Sequence, residues 1–261
     1  MLECAANLAC VGAEPLGLTN CLNFGNPEKP HIAWQLSESV RGMADACRAL
    51  DVPVVGGNVS LYNEGPEGPI YPTPVVGMVG RMPDAARAGR LGFAVEGDAI
   101  AFAGPFQPSL AGSELAKLRG EPLPDGLPEV DVAAARRTLE AVRDAVRRGE
   151  LRSAHDVAEG GFAVALAECC ISGGLGAQVD FRGSGAALDE QLFGEGAGGF
   201  VLSGPRPALA ALAREIPLTF VGVVGGPGDE LSLALDDGAA LHWPLEELRA
   251  ARDGGLVEAI G

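Results

Sequence analysis

The segment P-V-V-G-G-N-V-S-L-Y-N-E, Pro53 to Glu64, sets the reading of the whole chain. It begins as a β-rich run that Gly56 and Gly57 interrupt, and Asn58, Ser60, Tyr62, Asn63 and Glu64 follow. Two readings stand. In one, the glycines mark a bulge in an ordinary strand. In the other, they let a phosphate approach backbone N–H groups, and Asn58 offers a hard carbonyl oxygen suited to Mg²⁺. Ser60, two residues on, then points to the same face and donates to a substrate oxygen. Local physics alone favours the bulge, because Gly-Gly-Asn is common.

Working outward, L-G-L-T-N-C-L-N-F-G-N-P (Leu16 to Pro27) reads as a buried strand that runs through Asn20 into a loop carrying Asn23 and Asn26. Asparagines after a strand form turns, and their density here leaves room for a ligand-facing loop. A short helix is expected over Glu3 to Val11 and a strand over Pro15 to Leu22. A long amphipathic helix is expected from Ile32 to Leu50, where Ile32, Leu36, Val40, Met43, Ala44 and Cys47 recur at helical spacing. The β-rich runs Val52 to Tyr62 and Ile70 to Val79 complete a first region. The stretch P-D-A-A-R-A-G-R-L-G-F-A-V-E-G-D (Pro83 to Asp98) reads as a junction, giving expected domains 1–92 and 93–261.

The second region alternates elements. Strands are expected at D-A-I-A-F-A-G-P (98–105), A-Q-V-D-F (177–181), G-F-V-L-S (199–203), F-V-G-V-V (220–224) and L-S-L-A-L (231–235). Helices are expected over Val132 to Arg148, Pro207 to Glu215 and Pro244 to Arg252. Ser153 to Asp156 reads as the entry to a Gly-Gly helix start that continues over Phe162 to Ile171. The class is α/β (α+β), with mixed sheets and flanking helices.

Composition narrows the function. The chain has 261 residues, 47% hydrophobic and 21% charged, enough to bury two cores. Its net charge of −16, with no basic patch, argues against nucleic acid and anionic membranes. ATP stays open, because a divalent metal neutralises phosphates locally. The six cysteines show no metal spacing, and Cys169 and Cys170 read as small buried hydrophobes of a reduced, cytoplasmic protein. Neither a signal peptide nor a membrane-spanning apolar run is visible.

Several motifs are dismissed. There is no P-loop, and no nucleophile elbow for acyl chemistry. G-E-G-A-G-G (Gly194 to Gly199) precedes a strand instead of linking strand to helix, so it reads as a structural turn. His155 is expected to be a packed, hydrogen-bonded residue. His31 and His242 have no partner at catalytic spacing. Trp34 and Trp243 read as packing residues, and the Arg136 to Arg152 helix as a solvated face.

Five blocks together resemble the phosphoribosylformylglycinamidine synthase family, its large synthetase subunit. They are T-N-C-L-N-F-G-N-P-E-K-P, A-W-Q-L-S-E-S-V-R-G-M, V-P-V-V-G-G-N-V-S-L-Y-N-E, A-H-D-V-A-E-G-G and L-F-G-E-G-A-G-G-F-V-L-S, in family order along the chain. The resemblance implies an aminoimidazole-ribonucleotide-synthetase-like half made of two domains. It implies an ATP-dependent step in de novo purine synthesis: ATP activates an amide oxygen of formylglycinamide ribonucleotide, and ammonia from a separate glutaminase displaces phosphate. Asn20 would contact ATP where many members have Asp, and Gly57 would approach ATP by its backbone. Asn58 would ligate Mg²⁺, and Ser60 would contact the ribonucleotide. No catalytic residue is implied for this chain, since the family's catalytic histidine lies in the other half.

The resemblance is to the second of two tandem halves. Met1 is followed at once by a helical pattern without a cap, so the chain is expected to continue upstream. The resemblance implies an N-terminal half, a glutaminase subunit and a small bridging subunit as partners. Alone, the chain is expected to be inactive and to form a homodimer that imitates the tandem pair. Glu3 and Asn7, at i and i+4, and Asp156 match positions that hold magnesium in members with an auxiliary nucleotide site. The plainer reading, a solvated Glu3 and an Asp156 helix cap, is set ahead of it. Alternatives are a non-catalytic nucleotide-binding or assembly module, or a sister enzyme such as aminoimidazole ribonucleotide synthetase.

Overall fold

The structure is a computed structural model and describes residues 1–122, 124–126, 129–180, 187–235 and 238–260. The chain opens with α1 (Leu2–Val11), which stops where Gly12 turns left-handed at φ 82 and its N–H bonds back to Ala9 O. β1 (Glu14–Asn23) follows, then α2 (Pro30–Leu50), with proline in its first turn. β2 (Val54–Ser60), the small hairpin β3 (Glu64–Gly65) and β4 (Gly68–Pro69), and β5 (Thr73–Arg81) complete the first region. β2, β1 and β5 form a three-stranded sheet in that order; β1 is parallel to β2 and antiparallel to β5.

A short 3-10 turn at Ala85–Arg87 leads into the second region. Its elements are β6 (Ala99–Ala103), α3 (Glu114–Leu118), α4 (Val132–Arg148), β7 (Ser153–Asp156), α5 (Gly161–Gly173) and β8 (Leu175–Asp180). Then come α6 (Leu188–Phe193), β9 (Phe200–Gly204), α7 (Arg206–Leu212), β10 (Leu218–Pro227), β11 (Leu231–Ala234), β12 (Ala240–Trp243) and α8 (Leu245–Ile260). The strands form a mixed seven-stranded sheet in the order β12-β11-β8-β10-β6-β9-β7. The expected α/β architecture with mixed sheets and flanking helices is therefore what the chain adopts.

One core lies between this sheet and α1, α4 and α7. It joins Ala5, Ala6 and Ala9 of α1 to Leu139, Val142 and Val146 of α4 and to Phe200 and Leu202 of β9. Small side chains on α1 let the helix lie close to α4 while also touching β1, β5 and β7, so it ties the two sheets together. On the other face, Phe162, Leu166, Cys169 and Cys170 of α5 pack on Ile100, Val179, Val201, Leu231 and Leu233. Each large aliphatic or aromatic side chain so buried contributes roughly 1.5–3 kcal/mol relative to exposure.

The structure corrects several expectations. Ser153 to Asp156 is not a helix entry but strand β7, antiparallel to β9 with Ser153 opposite Ser203 and Asp156 opposite Phe200. The helix N-cap is Gly160, so Asp156 caps nothing. The α4 arginines are not simply solvated. Arg136 Nη1 donates to Ala49 O and Arg147 Nε to Gly12 O, both at 2.7 Å, and Arg147 Nη2 reaches Arg81 O at 3.4 Å. These are carbonyls where α1, α2 and β5 end, and α4 satisfies them from across the molecule. Trp34 is 65% exposed and packs little, whereas Trp243 joins the α5-side core as expected. Phe181, the last residue of one expected strand, lies outside the described residues.

Candidate functional site

The register of the three-stranded sheet places the candidate residues. Asn20 pairs with Gly57, Cys21 with Asn58, and Asn23 with Ser60. Paired residues share a face and successive residues alternate. Asn58 and Ser60 therefore share one face with Thr19, Cys21 and Asn23, and with Val75, Gly77 and Val79 of β5. Asn20 and Gly57 fall on the opposite face with Leu18, Val76 and Met78, toward the helices. The sequence grouped these four residues; the fold gathers them along the later part of two parallel strands but divides them between faces.

Gly57 has a structural job that the sequence did not disclose. A Cβ there would collide with Asn20 O and come within 2.7 Å of Asn20 Oδ1. The missing side chain is what allows β2 to lie against Asn20. β2 is the sheet's edge strand and is exposed along most of its length, with Val55 at 69% and Val59 at 56%. The face bearing Asn58 is open as well: Val75 is 54% exposed and Val79 67%. Asn58 is exposed on this edge strand, and a carboxamide oxygen is a hard donor of the kind Mg²⁺ takes.

A second locus lies where the helices meet the large sheet. Glu3 and Asp156 line one cavity of about 230 Å³ with Glu159, Glu195 and the glycine-rich turn 196–199. Glu195, Gly196 and Ala197 also line an adjoining cavity of about 590 Å³, together with Phe106, Gln107 and Asp131. Asn7 donates from Nδ2 to Glu3 O at 3.1 Å, as the i and i+4 spacing implies. Among the described residues, no group of three or more histidines, cysteines or carboxylates is spaced to hold a metal ion. Glu3 and Asp156 thus share a cavity without forming a closed metal centre.

Glu195 is the residue that sequence reasoning missed. Its Oε1 accepts from Glu114 N at 2.7 Å and from Gly160 N at 2.9 Å. Its backbone pairs both ways with Ser109, at 2.9 and 3.0 Å. One carboxylate thereby joins the start of α3, the start of α5 and the turn between α6 and β9. The turn reading of G-E-G-A-G-G holds, but that turn walls both cavities. An acidic residue between glycines was the available signal.

His155 is held as expected by hydrogen bonds, though from a strand. Its Nδ1 lies 3.3 Å from Asp156 Oδ1 and its Nε2 2.8 Å from Glu168 Oε2. Burial alone would push its pKa down, but the two carboxylates outweigh burial and lift it from 6.5 to about 9. The imidazolium partly neutralises Asp156. Burial, then the Asp156 charge, pushes the Cys10 thiol up, so it stays protonated and inert. His242, read as lacking a catalytic partner, sits 2.6 Å from Glu230 Oε1 and 3.2 Å from Ser232 Oγ on an exposed edge.

The profile of the AIR synthase related protein N-terminal domain matches residues 1–82, and that of the C-terminal domain matches residues 95–233. The chain is 46% identical to the phosphoribosylformylglycinamidine synthase subunit PurL of Anaeromyxobacter sp. (strain Fw109-5), over 97% of this chain and 34% of that protein. It is likewise 46% identical to the PurL subunit of Synechococcus sp. (strain JA-3-3Ab), over 99% of this chain and 34% of that one. The chain thus spans about a third of the length of the curated relatives it matches. Among solved structures, Thermotoga maritima PurL complexed with FGAR superposes with a TM-score of 0.70 at 18% identity, covering 93% of this chain and 40% of that one. The hydrogenase maturation protein HypE also gives 0.70 at 18% identity, covering 93% and 80%. At such identities these superpositions establish the fold alone. With more than half of its length matched by the C-terminal profile and most of the rest by the N-terminal one, the chain belongs to the AIR synthase related protein family.

Proposed function

We propose that this chain is part of an ATP-dependent phosphoribosylformylglycinamidine synthase, the activity named for its curated relatives. In that reaction ATP activates an amide oxygen of formylglycinamide ribonucleotide, and ammonia drawn from glutamine displaces phosphate to leave the amidine. The observation that carries the reading is the clustering of Asn20, Gly57, Asn58 and Ser60 from the middle of β2 to the C-terminal ends of parallel β1 and β2. Ligands of α/β sheets gather at the carboxyl ends of parallel strands.

In this assignment Asn20 and the Gly57 backbone meet ATP, Asn58 holds Mg²⁺, and Ser60 meets the ribonucleotide. Magnesium supplies charge neutralisation on the phosphates. The chain's own residues position the reactants, which is most of what phosphoryl transfer requires. We read 1–92 as the domain carrying this wall and 93–261 as the second domain. The opposite wall, with the acid–base chemistry, belongs to an N-terminal half. The open face of Val75, Val79 and Val55 fits that half, or in the isolated chain a second copy of itself. A glutaminase subunit and a small bridging subunit complete the assembly, in the cytoplasm. A chain of the solved PurLQS structure from Thermotoga maritima covers 93% of this chain at 18% identity, which supports a reading with protein partners.

The test is ADP formation by the full-length protein with ATP, Mg²⁺, ammonia and formylglycinamide ribonucleotide. Turnover that requires the ribonucleotide, and a raised Mg²⁺ requirement in Asn58→Ala, are expected; the 261-residue chain alone should be silent. Turnover indifferent to the ribonucleotide would remove the assignment. A second reading, a nucleotide-binding or assembly module, is favoured by the cavity that joins Glu3 and Asp156. ADP with Mg²⁺ should then raise the melting temperature of this chain, and Asp156→Ala should abolish the rise.

A further inference from the structure

The carboxamide of Asn63 sits where β2 ends. Its Nδ2 lies 3.1 Å from Phe24 O, 3.0 Å from Ser60 O and 3.1 Å from Ser60 Oγ, and its Oδ1 lies 3.2 Å from the same Oγ. Two backbone carbonyls only accept, so they fix which end of the amide is nitrogen. The backbone is laced to the same neighbours: Asn63 N donates to Phe24 O and Tyr62 N to Gly25 O, each at 3.1 Å. Between them Tyr62 is held at φ 62, a left-handed conformation that costs an aromatic residue on the order of 1–3 kcal/mol. The surrounding hydrogen bonds offset that strain.

We propose that Asn63 is a positioning residue for Ser60. One N–H of Asn63 is committed to Phe24 O, and the other is shared between Ser60 O and Ser60 Oγ. With no ligand, Oδ1 takes the hydroxyl proton. When a ligand oxygen arrives, Nδ2–H donates to Oγ and the Ser60 proton turns outward to the ligand. Asn63 thus holds the oxygen still and keeps its proton transferable, so binding pays no rotor entropy there. The ligand chemistry is an acceptor oxygen, a phosphate or sugar oxygen of the ribonucleotide. The inference rests on the proposed assignment of Ser60 to that substrate.

The experiment is a double-mutant cycle in the full-length protein, with steady-state kinetics for both substrates and a melting curve for each variant. Asn63→Ala should raise KM for the ribonucleotide roughly tenfold and leave KM for ATP in place. Asn63→Asp should do the same although it is nearly isosteric, because a carboxylate only accepts and keeps the Ser60 proton to itself. In a Ser60→Ala background, Asn63→Ala should add less than about twofold. If Asn63→Ala fails to fold, the cycle is run with Asn63→Asp. An equal penalty with and without the Ser60 hydroxyl, or equal rises in both KM values, would overturn the positioning role while leaving the function intact. A wild-type protein with no ribonucleotide-dependent turnover would overturn the function, and this inference with it.

Discussion

Replacing His155 with Gln should flatten the chain's stability between neutral and alkaline pH. His155 is 13% exposed at its side chain and bonded to Asp156 and Glu168. Its folded pKa is about 9 against an ordinary 6.5. Because the folded value is raised, the ion pairs contribute fully below pH 6.5, and the contribution is lost as pH climbs through about 9. At about 1.4 kcal/mol per pH unit, the interval between those values corresponds to at most roughly 3.5 kcal/mol. Glu168 is 40% exposed, so solvent screens part of it, and about 2 kcal/mol is the expected loss between pH 6 and 9.5. Urea unfolding of wild type and His155→Gln, in chelator-treated buffer at several pH values, reads the difference directly. The wild-type midpoint should fall across that window relative to the variant. Parallel pH profiles for the two proteins would show that the two carboxylates do not hold the ring protonated.

Gly57→Ala should destabilise the first region by roughly 2 kcal/mol or more, seen as a lowered urea midpoint, because backbone and not a flexible side chain blocks the new methyl. An unchanged midpoint would mean that β2 can shift away from Asn20 freely. Arg147→Ala should cost roughly 1.5–3 kcal/mol through the lost bond to Gly12 O, and Arg147→Lys should restore little of it, since only the guanidinium fork reaches both Gly12 O and Arg81 O. Glu195→Ala should speed amide exchange at Glu114 and Gly160 by roughly tenfold and leave β9 protected; equal protection at all three would deny the clamp.

The parts of the fold written in local pattern were legible. Helical spacing gave α1, α2 and α4 nearly to the residue, and alternation or apolar runs gave β1, β2, β6, β9 and β10. What escaped depends on long-range pairing. Ser153 to Asp156 becomes a strand only because β9 offers it a partner, and a four-residue segment before Gly-Gly carries no period of its own. The α4 arginines alternate with acids at the spacing of a solvated helix. Nothing local reveals that Gly12 O, Ala49 O and Arg81 O wait on the facing surface. Of the site, the residue types around Gly57 were legible but their division between two faces was not, since it follows from the register with Asn20. For Glu195 the sequence signalled only an acid between glycines; its partners, 81 and 35 residues away, were not legible for the same reason.

The open face of the small sheet is built from short side chains: Thr19, Gly56, Gly77, Val55, Val75 and Val79. If this face packs against a mate as proposed, so smooth a surface would bind by fit over area, with no protruding anchor to absorb errors. Each added methylene on one side must be answered by a removed one on the other, or a gap opens along the seam. On that proposal the residues of this face would not be free to drift singly. Their history should be written in pairs, and a lineage in which Gly77 has grown a side chain should carry a matching hollow in whatever lies against it.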